Sequence, residues 1–231
     1  MESIAGPLLG ILLGMRHACE PDHLAALSTL AVEKRSPREG LLLGAFWGLG
    51  HTCALFGVAV ALTALHATLP GRVADLFELG VAFMLLLLGA RAVAKAAREG
   101  RAGPSIAHAH GPERHQHHAG GGHVHLGRWT LAVRPLLVGI VHGLAGSGAL
   151  TALALASMPG TAARLWYVAL FGVGSVFGMG LLSGLAGWPL ARLSRKPLAV
   201  RALAGATGLL SIALGVAWGW PLLGRLAGVP A

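Results

Sequence analysis

The chain has 231 residues, 55% of them hydrophobic and only 12% charged, with a mean hydropathy of +0.67. A soluble domain carries about 25% charged residues, so this composition excludes one and points to a membrane protein partnered by a lipid bilayer. The formal net charge of +9 does not imply nucleic acid, because the basic residues fall between apolar segments and not on one soluble face.

Six segments, near 4–31, 41–65, 74–95, 134–157, 163–187 and 199–221, are long enough to cross the bilayer, which takes roughly 20 residues for about 30 Å of hydrocarbon. Helices are expected throughout, since open strands leave backbone groups unpaired in lipid. Residues 3–15 are apolar without a preceding basic stretch, which reads as a span and not a cleavable signal. Basic residues cluster in alternate links. Lys34, Arg35 and Arg38 follow span 1; Arg91, Lys95, Arg98, Arg101, Arg114, Arg128 and Arg134 surround the link after span 3; Arg192, Arg195, Lys196 and Arg201 follow span 5. The opposite side has Arg72, Arg164 and Arg225. The positive-inside rule then sets both termini outside and the three basic links in the cytoplasm of a bacterial-type plasma (inner) membrane.

Span 1 contains His17-Ala-Cys-Glu-Pro-Asp-His23, with Arg16, Glu20 and Asp22 as formal charges at membrane depth. Each costs about 2.5–3.5 kcal/mol at a helix centre even on the lenient insertion scale, so such a cluster reads as a functional site. On a straight helix His17 and His23 would point about 120° apart and lie about 9 Å apart along the axis. Pro21 lacks the N–H that would bond the His17 carbonyl, which predicts a helix broken between the two histidines. Broken helices at the midplane are where transporters commonly hold ions. The expected donors are His17, Asp22 and His23, a mixed N/O set that suits Ni(II), Co(II), Cu(II) or Zn(II). Arg16 and Glu20 read as an i,i+4 ion pair, with Glu20 supporting the site and not ligating. Cys19 is an alternative thiolate ligand; the plainer reading of Cys19 and Cys53 is small buried hydrophobes, with no disulfide framework.

Span 2 carries Trp47-Gly48-Leu49-Gly50-His51-Thr52, and span 4 carries His142-Gly143-Leu144-Ala145-Gly146-Ser147. A lone intramembrane histidine is more often a hydrogen-bonded core residue, but the His/Asp cluster in span 1 makes His51 and His142 candidate ligands, with Thr52 and Ser147 as supporting hydroxyls. Between them, segment 99–128 holds His108, His110, His115, His117, His118, His123 and His125 among glycines. It reads as a mobile loop that collects metal weakly, or more plainly as a polar spacer.

A weak repeat aligns Leu12–His17 with Leu137–His142, and Trp47–His51 with Phe171–Ser175, at offsets of 125 and 124 residues. A three-span unit is odd, so its copy enters from the opposite face. The expected fold is all-α: a polytopic membrane protein of six helices in two inverted three-helix repeats, 1–98 and 129–231, separated by the His-rich loop 99–128. Rocking of one half against the other would alternate access.

Gly14 through Ala26, with His-x4-Asp-His at its centre, resembles the nickel/cobalt transporter superfamily. Leu49-Gly50-His51-Thr52 resembles that family's Gly-His-Ser/Thr element. His142–Ser147 is similar to a stretch in its shorter, urease-accessory-type nickel permeases. The resemblance implies a metal role for His17, Asp22, His23 and His51. The chain departs from the main family in having six spans and not eight, and its His-rich loop looks like the efflux branch, although that branch tends to lack the aspartate present here as Asp22. The leading expectation is a secondary permease carrying Ni(II) or Co(II) as substrate, inward, with no prosthetic group, no catalytic residues and an oligomeric state the sequence leaves open. The alternatives are an efflux permease, a membrane metal sensor or urease accessory, and remotely an intramembrane serine hydrolase built on Ser147.

Overall fold

The computed structural model describes residues 2–31, 36–101, 107–110, 113–116, 129–157, 160–193 and 196–228. The chain begins with helix α1 (Glu2–His17) and, after a three-residue turn, α2 (Pro21–Ala31). The interruption has the cause anticipated above. Proline at the first turn of α2 supplies no N–H to the helix before it. The His17 carbonyl accepts instead from the backbone N–H of Glu20 at 3.0 Å, and the Arg16 carbonyl from Cys19 at 2.9 Å, which tightens the end of α1.

Five long helices follow the broken one, two before the central segment and three after it. Helices α3 (Pro37–Ala64) and α4 (Gly71–Arg101) precede the central segment; α5 (Trp129–Ser157), α6 (Thr161–Leu193) and α7 (Pro197–Leu226) come after it. Ser36 caps α3, its hydroxyl accepting from the Glu39 N–H at 3.2 Å, with Pro37 at the first helical position. Stretches of α3, α4, α6 and α7 are long and apolar enough to cross a membrane, and Leu8–His17 and Ala132–Gly146 add shorter apolar segments. Large hydrophobic side chains such as Phe83, Phe177, Leu185 and Trp166 are exposed on the outside of the helices. That surface is suited to lipid and costly in water. The protein is thus a polytopic α-helical membrane protein.

The central segment differs from the loop expected at 99–128. Its first residues extend α4 to Arg101, and Ala107–His110 (β1) pairs antiparallel with Glu113–Gln116 (β2), with His108 opposite His115 and His110 opposite Glu113. Ala-His alternation in β1 and the polar run of β2 are compatible with strand pairing, which the Gly/His composition of the whole segment had concealed. His117, His118, His123 and His125 lie outside the described residues.

Four helices, α1, α3, α5 and α6, pack closely. Helix α3 lies against both α5 and α6, and α1 lies against α6. Helices α4 and α7 form a second pair that meets the other four mainly through α2 and α5. The close approaches occur at glycines, where a side chain would strike the backbone of the neighbouring helix. Gly14 faces the Phe171 carbonyl, and Gly139 faces the Trp47 carbonyl. Gly174 faces the Ile11 carbonyl, and Gly50 faces that of Leu136. Small residues of this kind let membrane helices gain dispersion contacts that lipid cannot supply. Buried hydroxyls bridge the same seams: Thr52 donates to the Gly172 carbonyl at 3.0 Å and Ser211 to that of Leu85 at 2.9 Å. The largest apolar core joins Ala25, Ala26 and Leu27 of α2 to Leu43 and Trp47 of α3, Val81 and Leu85 of α4, and Met179 of α6.

Candidate metal centre

The break in span 1 gathers side chains that a continuous helix would keep apart. His17 ends α1, His23 lies in the first turn of α2, His51 projects from the middle of α3, and His142 from α5. His17 and His23 have ring centroids 4.5 Å apart, His17 and His51 5.0 Å, His23 and His51 5.3 Å, and His23 and His142 4.5 Å. His23, His51 and His142 are buried, and His51 has no exposed surface at all. Four histidines from four helices therefore converge.

Their hydrogen bonds sort the nitrogens into two kinds. The Nδ1 of His23 donates to Asp22 Oδ1 at 2.9 Å, and the Nδ1 of His17 donates to Glu20 Oε1 at 3.0 Å. A carboxylate only accepts, so each bond fixes the proton on Nδ1 and leaves the lone pair on Nε2. Nε2 of both His17 and His23 is buried without a hydrogen-bond partner, as are both nitrogens of His51. Unpaired buried polar atoms are costly and rare in folded proteins. Here the three rings that carry them lie against one another. Donor atoms from His17, His23 and His51 all lie within 4.8 Å of each other, a spacing a metal ion could bridge with little adjustment. A second group, Asp22, His23 and His142, meets the same limit. Its atoms are already paired, since His142 Nε2 donates to Asp22 Oδ2 at 3.2 Å.

The backbone contributes as well. Asp22 Oδ1 also accepts from the His23 N–H at 2.8 Å, so this carboxylate caps the first turn of α2 and orients the imidazole beside it. Gly146 on α5 borders the histidines; a Cβ there would lie 4.0 Å from His17 Nε2 and 3.8 Å from His51 Cε1.

The remaining candidates divide. Arg16 is exposed and makes no ion pair with Glu20, whose carboxylate is turned to His17 instead. The i,i+4 geometry fails because α1 stops between the two residues. Cys19 is exposed, its Sγ directed back toward the Met15 carbonyl at 3.9 Å, so it is neither a buried hydrophobe nor part of the histidine cluster. Thr52 bonds the Gly172 carbonyl of α6 and does not support the histidines. The side chains of Ser147, His108, His110 and His115 lie outside the described residues. One contributor was not anticipated. Trp47 stacks on His23 with centroids 5.5 Å apart and lies edge-on to His142 at 5.6 Å. The spacing of Trp47 and His51, one helical turn apart, places them on one face of α3 but gives no signal for the stacking on His23.

A cavity of about 710 Å3 opens onto the cluster, lined by His17, Asp22, His23 and His142, but not by His51. Arg16, Glu20, Glu78 and Arg225 line it as well. Arg225 is held there by Asp75 at 3.0 Å, with Glu78 at 3.8 Å.

Comparison with known proteins agrees with the chemistry of this cluster. The NicO family model, described as high-affinity nickel-transport protein, matches residues 4–196. The urease accessory protein UreH of Bacillus sp. (strain TB-90) is 29% identical over 208 residues, 90% of this chain and 87% of its own length. Chloroplast protein FOR GROWTH AND FERTILITY 2 of Arabidopsis thaliana is 27% identical over 226 residues, 94% of this chain and 56% of its own length. No solved structure matches. The family match takes in the histidine cluster and five of the six longest helices, and on that ground the chain belongs to the NicO family of high-affinity nickel-transport proteins, a nickel/cobalt permease and not an enzyme.

Proposed function

We propose that the permease works by secondary uptake, with Ni(II) or Co(II) held as substrate by the imidazoles of His17, His23 and His51. The observation that carries this reading is the set of buried, unpartnered ring nitrogens on three histidines whose donor atoms lie within 4.8 Å of one another. Asp22 and Glu20 then act on the ion through His23 and His17. Hydrogen bonds of this kind fix the tautomer and raise ligand basicity. Their two formal negative charges also offset the charge of the dication, which lowers the cost of holding it away from water. Asp22 and His142 form the approach from the cavity.

The six-span count and the inverted repeat of 1–98 and 129–231 belong to the same proposal. Their support is the pairing of contacts: Gly14 on Phe171 corresponds to Gly139 on Trp47, and Gly174 on Ile11 to Gly50 on Leu136, in the register of the 125- and 124-residue offsets. These contacts run between the halves, which argues against each half rocking as one body. Movement of the α4–α7 pair against the other four helices fits the packing better. The inner membrane, outward termini and cytoplasmic His-rich segment follow from the charge bias.

The test is radioactive nickel flux into proteoliposomes of defined orientation. Accumulation from the face bearing the termini, lost in His23→Ala, is the expected result. Flux only in the opposite sense would make the protein an exporter. Metal binding without flux in either sense would make it a sensor or accessory.

A further inference from the structure

We propose that the substrate ion occupies two mutually exclusive positions on opposite sides of the His23 ring, and that transport passes it from one to the other. The inference rests on the permease reading above and adds a path to it.

His23 presents a different nitrogen to each side. Nδ1 lies 2.9 Å from Asp22 Oδ1, and Asp22 Oδ2 lies 3.2 Å from His142 Nε2. Nε2, the other ring nitrogen, is buried without a partner, as are Nε2 of His17 and both nitrogens of His51. Two donor groups result, each with its atoms within 4.8 Å of one another, and His23 is the residue they share. Asp22, His23 and His142 all line the cavity; of the other group His17 and His23 line it, whereas His51 does not and is fully buried. One position therefore has all its donors on the cavity, a carboxylate and two imidazoles; the other reaches from the cavity to the buried His51, with three imidazoles.

Exclusivity follows from the ring itself. A neutral imidazole has one lone pair and one N–H. An ion on one nitrogen leaves the proton on the other, which closes that side to metal. Two dications across one ring would in addition repel strongly at low dielectric. Transfer of the ion from the Asp22 side to the His51 side moves the ring proton from Nε2 to Nδ1 in return, carried by cavity water. The ring begins and ends neutral, and no other group gains or loses a proton. Donor hardness changes along the path: the oxygen of Asp22 suits an ion still partly hydrated, and the all-nitrogen group suits one stripped of water.

The experiment uses the purified full chain with Co(II) as a spectroscopic probe, and nickel flux in proteoliposomes. Wild type, His51→Gln and His142→Gln should each bind one Co(II) per chain in equilibrium dialysis. His51→Gln should keep a spectrum of mixed oxygen and nitrogen donors, and His142→Gln one of nitrogen donors. Both should lose at least tenfold in flux. Two Co(II) bound at once to wild type, or either variant transporting at the wild-type rate, overturns the proposal. Because a variant can misfold, X-ray absorption at the cobalt edge of wild type provides a second measure. No more than three imidazoles per ion are expected, and four imidazoles with Asp22 around one ion would overturn the two-position path. Absence of flux from wild type itself would count against the permease reading instead.

Discussion

Trp47 stacks on His23 with the two planes 15° apart and their centroids separated by 5.5 Å. His23 is thus gripped by an indole on its face and a carboxylate at its Nδ1 edge. Its remaining freedom is rotation that would break both contacts. A ligand held in this way loses little entropy when the ion arrives.

Trp47→Leu should therefore weaken metal binding although Trp47 offers no ligand atom. Loss of an outer support commonly costs about 10–100-fold in metal affinity, and Co(II) titration of the purified protein measures it. An affinity within twofold of wild type would mean that the stacking has no part in orienting His23.

Glu20→Gln separates charge from hydrogen bonding at His17. The amide can still accept from Nδ1, so ring orientation should survive while the negative charge is lost. Glu20→Ala removes both. The expected order of Co(II) affinity is wild type above Glu20→Gln above Glu20→Ala, with a total loss of about 10–100-fold. Equal affinity in all three would show that the 3.0 Å contact does not act on the ion.

Gly146→Leu should fill the space facing His17 and His51. A Cβ at this position meets its neighbours at ordinary contact distance, so a larger side chain can be tolerated by α5 while its tip occupies the room an ion needs. Nickel flux should fall to background with the protein still monodisperse in detergent. Gly146→Ala, which adds only the Cβ, should retain most of the flux.

Gly14→Ala and Gly139→Ala should behave alike, since each Cβ would meet a carbonyl of the opposing helix. Overpacking of this kind typically costs about 1–3 kcal/mol, readable as a lower thermal unfolding midpoint. Gly57→Ala, on α3 with nothing within 4 Å, is the control. It should be neutral or gain up to about 1 kcal/mol from helix propensity. Unequal losses at Gly14 and Gly139 would argue against equivalent roles in two repeats.

Much of this was readable from the residue pattern, for identifiable reasons. Pro21 acts through its own covalent structure, so the break between α1 and α2 could be anticipated without knowing what packs around it. The convergence of His17, His23, His51 and His142 was suggested by the cost of polar groups at membrane depth. The exchange of partner at Glu20, from Arg16 to His17, was not readable, because it depends on the turn geometry after the break. Nor was the stacking of Trp47, which depends on where α2 settles against α3. The β1–β2 pairing was missed because the alanine, glutamate and histidine of these strands carry little strand signal.

The glycine seams bear on how the protein is made. Helix α1 finds its close-fitting partner in α6, and α3 finds one of its two in α5, so the earliest helices to leave the ribosome wait for helices of the second half before they can dock. Until then the charged turn around His17 to His23 lacks His142 of α5 and Phe171 of α6, which cover it in the finished fold. A fragment ending at residue 98 should accordingly be degraded or chaperoned when expressed alone, and rescued when residues 129–231 are supplied as a separate chain.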